Sequence, residues 1–283
     1  MDGVCTHMEQ SGSGGMNIII PMAGAGKRFS DEGYKISKPA IPTIDRKSGK
    51  ELPMVICAVS DLPGVDKDGS NVIFIDRTFH KTNGVEDAIK RHFPAASFIT
   101  VEKLTEGQAC TCLLAKDKIN NNKELLIAGC DNGMVFDEAK FEEEKQKADC
   151  LVFTYRHNEA VLKKPNAYGW MRVDSENNII GTSIKKALSE NPLEDHAVVA
   201  TFWFKHGSDF VSAAEKMIAE NDRINDEFYV DQVVKYILDF GLKARVFEIE
   251  RYICWGTPKD YEEYQATIKY WAHFVADKRF LGA

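Results

Sequence analysis

The order of apolar and amphipathic segments predicts an α/β fold, a three-layer α/β/α sandwich whose mixed sheet is mostly parallel. Short apolar runs typical of buried strands alternate with segments of helical spacing, and 283 residues with 44% hydrophobic content suffice for one large domain. The predicted strands lie near residues 16–21, 71–76, 97–101, 124–128 and 149–155, and the predicted helices near 54–61, 84–92, 107–116 and 137–147. Such alternation favours helix crossovers between parallel neighbours.

Two stretches stand outside this alternation. Residues 166–205 are richer in strand pattern with short turns, which predicts a subdomain or an antiparallel addition within a single domain of residues 16–283. Residues 1–15 lack the basic and apolar regions of a signal peptide and are expected to be a disordered leader or a tag remnant.

Composition excludes several classes of partner. Lys and Arg number 36 against 43 Asp and Glu, and this net charge of −7 provides no global basic field, so nucleic acid is not an expected partner. Every apolar run is shorter than the roughly 18 residues of a membrane span, so no membrane association is expected. The seven cysteines lack paired Cys-x-x-Cys spacing and are interpreted as reduced thiols, which favours a cytoplasmic location.

An apolar strand runs directly into a glycine-rich, cationic loop. The loop reads Met22-Ala23-Gly24-Ala25-Gly26-Lys27-Arg28-Phe29, and a second basic stretch follows at Ser37-Lys38-Pro39. The two glycines permit a sharp turn that brings backbone N–H groups close to an anion, and the flanking cations add charge-assisted hydrogen bonds. The segment therefore predicts a phosphate-binding site at the carboxyl edge of the sheet, the alternative being a glycine-rich turn with solvated basic residues.

Two better-known phosphate motifs do not fit this loop. A P-loop requires Gly-x-x-x-x-Gly-Lys-Ser/Thr, but Arg28 follows the Gly26-Lys27 pair and Pro21 occupies the position of the first glycine. The dinucleotide fingerprint would place its third glycine at position 29, where the chain has Phe29. The loop therefore belongs to a different kind of phosphate site.

Two later segments supply further ligand-binding groups. Gly107 allows close backbone approach before a helical run, and the amide of Gln108 can both donate and accept hydrogen bonds at a base edge. The apolar strand near 124–128 stops at Asp131, a single carboxylate suited to Mg²⁺ whose remaining ligands are phosphate oxygens and water. A helix cap at Gly107 and an ordinary turn at Asp131 are the alternatives.

The later half contributes a strand pair and two helix starts. Two strands are predicted around the turn-rich residues 174–178, with two lysines at the end of the second strand. Helical spacing begins at Val230, for which Asp226 is interpreted as the N-terminal cap, and another helix begins at Pro258. This final helix is expected to pack on the body of the protein, although a homo-oligomer remains compatible with the sequence.

The glycine loop with residues 37–42, together with Thr105-Glu106-Gly107-Gln108-Ala109, Gly129-Cys130-Asp131 and Gly256-Thr257-Pro258, resembles the signature of the sugar-phosphate nucleotidylyltransferases. The resemblance spans roughly residues 16–275 and is closest to capsule-type members that look like cytidylyltransferases. It implies a GT-A-like fold and transfer of a nucleoside monophosphate from an NTP, with CTP favoured, to a phosphorylated small molecule. That acceptor is a sugar phosphate or another phosphate or phosphonate.

The resemblance assigns roles to individual residues. Contacts to the reacting phosphates fall on Lys38, Arg28 and Lys185. Nucleotide contacts fall on Met22, Ala23, Gly24, Ala25, Gly26, Lys27, Gly107 and Gln108. Acceptor contacts fall on Tyr168, Gly169, Lys186 and Glu227, within the acceptor-side subdomain near 166–205 and beyond it. Asp131 is the expected Mg²⁺ ligand.

Two positions depart from the family pattern. Ile184 stands where a glutamate is usual, which leaves the acceptor open, and Cys254 stands where an aspartate completes the metal site. A thiol is a poor ligand for a hard cation, so either Asp131, phosphates and water hold the metal or a carboxylate such as Glu248 or Glu250 moves in. These departures keep a non-catalytic nucleotide sensor as an alternative. A metal-dependent glycosyltransferase is the weaker alternative, since no Asp-x-Asp motif lies near Asp131.

Overall fold

The structure is a computed structural model that describes residues 15–276, with side chains up to residue 273. The expected leader at 1–15 lies outside the described residues except for its last glycine. The strands are β1 Asn17–Pro21, β2 Pro42–Ile44, β3 Glu51–Pro53, β4 Val72–Arg77, β5 Ser97–Val101, β6 Leu125–Ile127, β7 Asn132–Val135, β8 Cys150–Tyr155, β9 Gly169–Val173, β10 Ile179–Ile184, β11 His196–Phe204, β12 Ala244–Glu248 and β13 Arg251–Cys254. The helices are α1 Lys27–Asp31, α2 Met54–Ser60, α3 Thr78–Thr82, α4 Val85–Lys90, α5 Gln108–Leu113, α6 Lys116–Ile119, α7 Glu138–Lys145, α8 Ala160–Lys163, α9 Gly207–Ala219, α10 Val230–Asp239 and α11 Pro258–Ala276.

The central sheet has nine strands and confirms the predicted mixed, mostly parallel arrangement. Its main path is β10-β9-β11-β6-β1-β4-β5, and β8 joins β11 to β12. Strand β1 is parallel to both β4 and β6, β4 is parallel to β5, and β8 is parallel to β12. Strand β11 is antiparallel to β6, β8 and β9, so residues 166–205 extend the main sheet as an antiparallel addition.

Alternation along β1 creates the three layers. Side chains of successive strand residues point to opposite faces, so Ile19 faces one core cluster, whereas Ile18 and Ile20 face the other. The first cluster contains residues of α5, α9 and α10, and the second contains residues of α2, α4 and α7. The sheet is therefore covered on both faces, and ligands have access to it at the ends of the strands.

A third, smaller cluster holds the start of the last helix against the body. Phe29, Met54 and Trp255 are buried there with Tyr261 and Tyr264 packed against them. The Tyr261 hydroxyl donates to the carbonyl of Pro42 at 2.6 Å, and the Tyr264 hydroxyl to that of Ile44 at 2.7 Å. Helix α11 therefore packs on the small β2–β3 sheet, as its helical spacing predicts.

The structure corrects two local predictions. Helix α10 begins at Val230 with Tyr229 as its N-cap, so Asp226 is not the cap. Asp226 instead has a φ of 63° in a turn closed by paired backbone hydrogen bonds between Ile224 and Glu227. The helix predicted near 107–116 ends at Leu113, and a separate short helix follows it.

Three further observations bear on the sequence expectations. The described cysteines are free thiols: Cys57, Cys110, Cys112, Cys130, Cys150 and Cys254. Within residues 15–276, none of the helices has the length and apolarity needed to cross a membrane. Strand β11 shifts register between Val198 and Phe202, and within this bulge Ala200 adopts a φ of 60°, a left-handed conformation that L-residues rarely occupy.

We expect Gly107→Ala to destabilise the fold by roughly 2 kcal/mol or more. The backbone of Gly107 has φ 130° and ψ 174°, a region essentially restricted to glycine, and a Cβ there would lie 2.5 Å from both the backbone N and O of Phe228. Gly241→Ala is the matched control, because φ is also positive but the space is open, so it should cost about 1 kcal/mol. Urea unfolding measures both variants, and equal losses would contradict the close-approach explanation.

Candidate functional site

The glycine loop leaves the carboxyl end of β1 and turns into α1. Met22 donates its N–H to Ile75 on β4 at 2.9 Å, which fixes the start of the loop at the sheet edge. Gly26 has a φ of 63° as the residue before α1, and Phe29 anchors that helix in the third cluster. Gly24 is exposed with open space beside it, so the backbone of the loop is accessible to a ligand at this point.

The loop forms one wall of a cavity of about 440 Å³, which we call the nucleotide-side pocket. Its lining includes the predicted site residues Met22, Gly24, Ala25, Gly26, Lys38, Gln108 and Asp131. Lys35 and Ser37 add polar groups from the segment before the 3-10 turn Lys38–Ala40. Backbone amides, cations and a carboxylate are therefore brought together at the carboxyl edge of the sheet.

Lys38 and Asp131 form the central ion pair of this site. The Lys38 ammonium donates to Asp131 Oδ2 at 2.5 Å and to the carbonyl of Gly256 at 3.1 Å. The Lys38 side chain is 16% exposed and that of Asp131 is 34% exposed, so the pair is shielded yet still faces the cavity. The ammonium also lies 5.3 Å from the centre of the Phe29 ring.

Phe79 and His80 line the same pocket, and no motif in the sequence pointed to either residue. The Phe79 ring is 37% exposed, whereas the neighbouring imidazole is buried. Burial lowers the pKa of His80 to about 4, and Nδ1 accepts the N–H of Arg77, so the ring is neutral with its hydrogen on Nε2. It can therefore donate a hydrogen bond but adds no positive charge.

Gln108 lies where two cavities meet. Helix α5 begins at this residue because Gly107 packs against the backbone of Phe228, and Ala109 N–H donates to the Phe228 carbonyl at 3.0 Å. Gln108, Asp131 and Ala200 line both the nucleotide-side pocket and a second cavity. The amide and the carboxylate thus mark the junction of the two.

The second cavity has a volume of about 1040 Å³, and we call it the acceptor-side cleft. Partly or fully buried residues form its interior, and they are Gln108, Asp131, Tyr168, Gly169, Lys185, Val198, Ala200, Phe202, Tyr229, Asp231, Tyr252, Cys254, Gly256, Thr257, Pro258 and Asp260. Exposed charged residues form its rim, and they are Arg28, Asp31, Glu32, Lys163, Lys164, Lys259 and Glu262. The cleft therefore has an interior with four aromatic rings beside polar and charged groups, and a rim of mixed charge.

Lys185 is held at the end of β10 with its ammonium inside the cleft. Its φ of 56° turns the chain away from the strand, and the ammonium donates to the carbonyl of Ala167 at 2.6 Å. The same ammonium lies 5.3 Å from the centre of the Tyr229 ring. Lys186, to which the resemblance assigned an acceptor contact, is exposed and lines neither cavity.

Asp231 is a cleft residue that the sequence did not single out. It lies in the first turn of α10, where an acidic residue is ordinary helix chemistry, so its sequence position carries no signal. Its Oδ2 occupies the space that a side chain at Gly169 would need, which explains the glycine. Burial raises the pKa of Asp231 to about 6, and the charge of Lys185 opposes that rise.

Cys254 lies beside Asp131, because β13 pairs with β7 and places Cys254 opposite Asn132. Burial raises the pKa of Cys254 to about 11, so the sulfur is a neutral thiol that accepts the N–H of Gly256 at 3.3 Å. The described residues contain no cluster of three or more His, Cys, Asp or Glu able to hold a metal. Any divalent cation here would therefore depend on Asp131 together with ligands from the substrate.

Neither alternative carboxylate considered from the sequence reaches the site. Glu248 accepts two hydrogen bonds from the guanidinium of Arg156, at 2.9 and 2.8 Å, and lines neither cavity. Glu250 is exposed and also lies outside both cavities. The expectation that one of them could replace the missing aspartate finds no support in their positions.

The remaining predicted residues divide into two groups. Arg28 lines the acceptor-side cleft and not the nucleotide-side pocket, although the family resemblance implied a contact with the triphosphate. Residues that line neither cavity are Ala23, Lys27, Gly107, Lys186 and Glu227. Their assigned contacts stay predictions.

No family model matches the chain, and no curated protein matches it in sequence. Solved structures do match. A nucleoside-diphosphate-sugar pyrophosphorylase from Vibrio cholerae RC9 shares 18% identity at a TM-score of 0.66, over 88% of this chain and 99% of the other. A putative glucose-1-phosphate thymidylyltransferase from Bacillus anthracis, in complex with a sucrose, shares 19% identity at a TM-score of 0.67, over 90% and 95%.

A third similar structure is HddC from Yersinia pseudotuberculosis complexed with GMP-PN, with 17% identity, a TM-score of 0.59 and coverage of 89% and 98%. Sequence identities below 20% support a common backbone fold but not a common function. These structures therefore establish the architecture alone. The chain has the GT-A-like fold that these pyrophosphorylases and nucleotidylyltransferases share.

Proposed function

We propose that the protein is a nucleotidylyltransferase, which transfers a nucleoside monophosphate from an NTP to a phosphorylated small molecule and releases pyrophosphate. The observation that carries this proposal is the junction of the two cavities at Asp131, directly beside the Lys38 ammonium. A two-substrate phosphoryl reaction needs such a meeting point of two binding sites at a cationic group. The names of the similar structures, two of which are sugar-nucleotide pyrophosphorylases or thymidylyltransferases, support the same reaction class.

The reaction is an in-line displacement at the α-phosphorus. An oxygen of the acceptor phosphate forms the new P–O bond, the bond from the α-phosphorus to the β-bridging oxygen breaks, and pyrophosphate leaves with that electron pair. The acceptor is already an anion, so no proton has to be abstracted. Alignment and charge neutralisation are therefore the main tasks of the site, and proximity alone can contribute roughly 7–11 kcal/mol in favourable cases.

The described residues divide these tasks between the cavities. The backbone around Gly24 and Gly26 and the Lys38 ammonium suit the triphosphate, and Gln108 suits the nucleoside edge. Lys185 and the rim residue Arg28 suit the acceptor phosphate from the other side. CTP is the first nucleotide to test because of the sequence resemblance, and a sugar phosphate is the first acceptor because of the structural neighbours.

Mg²⁺ fits this site through one carboxylate. Asp131 would hold it at the junction together with phosphate oxygens and water, which is how this cation is commonly bound in nucleotide sites. When bound, Mg²⁺ neutralises phosphate charge and helps to align the two substrates. The buried neutral thiol of Cys254 is not suited to it.

The proposal is tested by pyrophosphate release with Mg²⁺, with the four NTPs screened against pools of phosphorylated sugars, polyols, aminoalcohols and phosphonates. Release that requires one nucleotide and one pool supports a nucleotidylyltransferase. Tight nucleotide binding without release in any pool would favour the non-catalytic sensor instead.

Lys38→Ala should lower turnover by roughly 10²–10³-fold while the protein stays folded. The substitution removes the cation that contacts Asp131 at the cavity junction, and loss of one preorganised donor typically costs this much. Steady-state pyrophosphate release measures the effect, and circular dichroism checks folding. Lys67→Ala, at an exposed site away from both cavities, is the control for charge alone. A near-wild-type rate in folded Lys38→Ala would refute the assignment of this lysine.

Asp131→Asn and Cys254→Asp should shift the Mg²⁺ requirement in opposite directions. The first removes the only carboxylate at the junction of the described cavities, so half-maximal turnover should need several-fold more Mg²⁺. The second adds a carboxylate beside it, which should lower that concentration and, without metal, lower the melting temperature through repulsion from Asp131. Mg²⁺ titration of turnover and thermal unfolding measure both, and identical Mg²⁺ curves for all three proteins would exclude the site.

A further inference from the structure

The acceptor-side cleft contains charges of both signs deep inside it. Lys185 and Asp231 line its interior, and both are only partly exposed. The Lys185 ammonium is occupied by the Ala167 carbonyl and the face of Tyr229, and the two charges do not form an ion pair among the contacts of the described residues. The cleft therefore presents a cation and an anion as separate binding groups.

The Asp231 carboxylate is placed where it could bind a cationic ligand. No other residue within the described part of the chain donates a hydrogen bond to it or pairs with it. Gly169 provides the space for its Oδ2, so the carboxylate is held against the backbone and faces the cleft. Its own backbone N–H is the one donor to this carboxylate among the described residues, so most of its acceptor capacity is unused. A partly buried carboxylate in this state is unfavourable, and a ligand cation would relieve the cost.

The interior that contains this carboxylate also has four aromatic rings, those of Tyr168, Phe202, Tyr229 and Tyr252. Ring faces attract ammonium groups, and organic ammonium ligands are commonly bound in cages of aromatic rings. The Lys185 ammonium lies 5.3 Å from the centre of the Tyr229 ring, so one ring of this interior already contacts a cation.

The other carboxylates of the cleft are either engaged already or exposed. Asp131 pairs with the Lys38 ammonium, and Asp260 accepts a hydrogen bond from Thr257 Oγ1 at 2.6 Å. The remaining acidic residues of the lining lie on the exposed rim and are available to water. Among the carboxylates that line the cleft, Asp231 is therefore the partly buried one that is left for a cationic ligand.

We propose that the acceptor is a zwitterion, an aminoalkyl phosphate or phosphonate whose phosphate meets Lys185 and whose ammonium meets Asp231 among the tyrosine rings. This inference rests on the proposed function and names its acceptor class. Primary and quaternary ammonium groups can both bind a carboxylate and aromatic ring faces. The experiment distinguishes them by comparing O-phosphoethanolamine with phosphocholine.

The test compares kcat/KM at saturating nucleotide for phosphocholine, O-phosphoethanolamine, glucose 1-phosphate and 3,3-dimethylbutyl phosphate, the uncharged carbon isostere of phosphocholine. Wild-type protein should prefer one of the ammonium phosphates over the uncharged isostere by roughly tenfold to hundredfold. Asp231→Asn should abolish most of this preference through KM while kcat on the isostere is retained. Glu190→Gln, which removes an exposed acid that lines neither cavity, should keep it.

Gly169→Ala tests the same preference by a different route. Its methyl group would displace the Asp231 carboxylate and should therefore reduce the preference for the ammonium phosphates. Equal kcat/KM for phosphocholine, O-phosphoethanolamine and the isostere in wild-type protein overturns the inference and leaves the proposed function intact. A preference for glucose 1-phosphate that Asp231→Asn does not change also overturns it.

A binding measurement separates failure of this inference from failure of the proposed function. If no phosphate supports turnover, titration calorimetry with choline and ethanolamine against 3,3-dimethylbutanol still reports on the cleft. Binding of a cation that is lost in Asp231→Asn and kept in Glu190→Gln supports the ammonium site even then. Absence of cation binding by wild-type protein overturns it.

Discussion

The organisation of the site depends on one ammonium group that joins three distant segments. Lys38 belongs to the turn after the glycine loop, Asp131 follows β6, and Gly256 precedes α11. Each acceptor is satisfied by the same nitrogen, so the loop, the central sheet and the last helix are held in one arrangement. Because the Asp131 side chain is about one-third exposed, water screens part of the attraction between the two charges. The pair therefore matters more for positioning the three segments than for the stability of the fold.

The position of this ammonium follows from the sheet. Parallel strands β1, β4 and β6 end at one edge, and the connections that leave them carry the glycine loop, Phe79 and Asp131. The antiparallel strands β9, β10 and β11 continue the same sheet and supply Lys185 and the bulge at Ala200. One continuous sheet thereby contributes residues to both cavities.

The central strands and helices could be predicted from the sequence because the spacing of apolar residues indicates which side chains are buried. Strands β1, β4 and β5 and helices α2 and α4 lie close to their predicted bounds, since their apolar residues face one core cluster or the other. Local chemistry was less reliable. Asp226 is of a residue type that commonly caps helices. It lies instead in the turn between Ile224 and Glu227, before the N-cap Tyr229.

Residues of the candidate site were predicted only where they belong to a motif that is recognisable along the chain. The glycine loop, Lys38, Gln108 and Asp131 were found because glycine, cation and carboxylate spacing is visible along the chain. Asp231 was missed because Gly169, whose backbone its carboxylate contacts, lies on β9, far from it in sequence. Contacts of that kind depend on the register of β9 and β11, which no local pattern encodes.

The bulge in β11 has a consequence for how the protein responds to selection. Ala200 holds a left-handed backbone conformation that costs about 1 kcal/mol relative to glycine, and it lines both cavities. The neighbouring Thr201 hydroxyl is buried without a hydrogen-bond partner within the described part of the chain. Heat resistance alone favours glycine at position 200, whereas under the proposed function the methyl group lies where the two substrates meet. Under that function, adaptation to high temperature and retention of turnover act on this one residue in opposite directions.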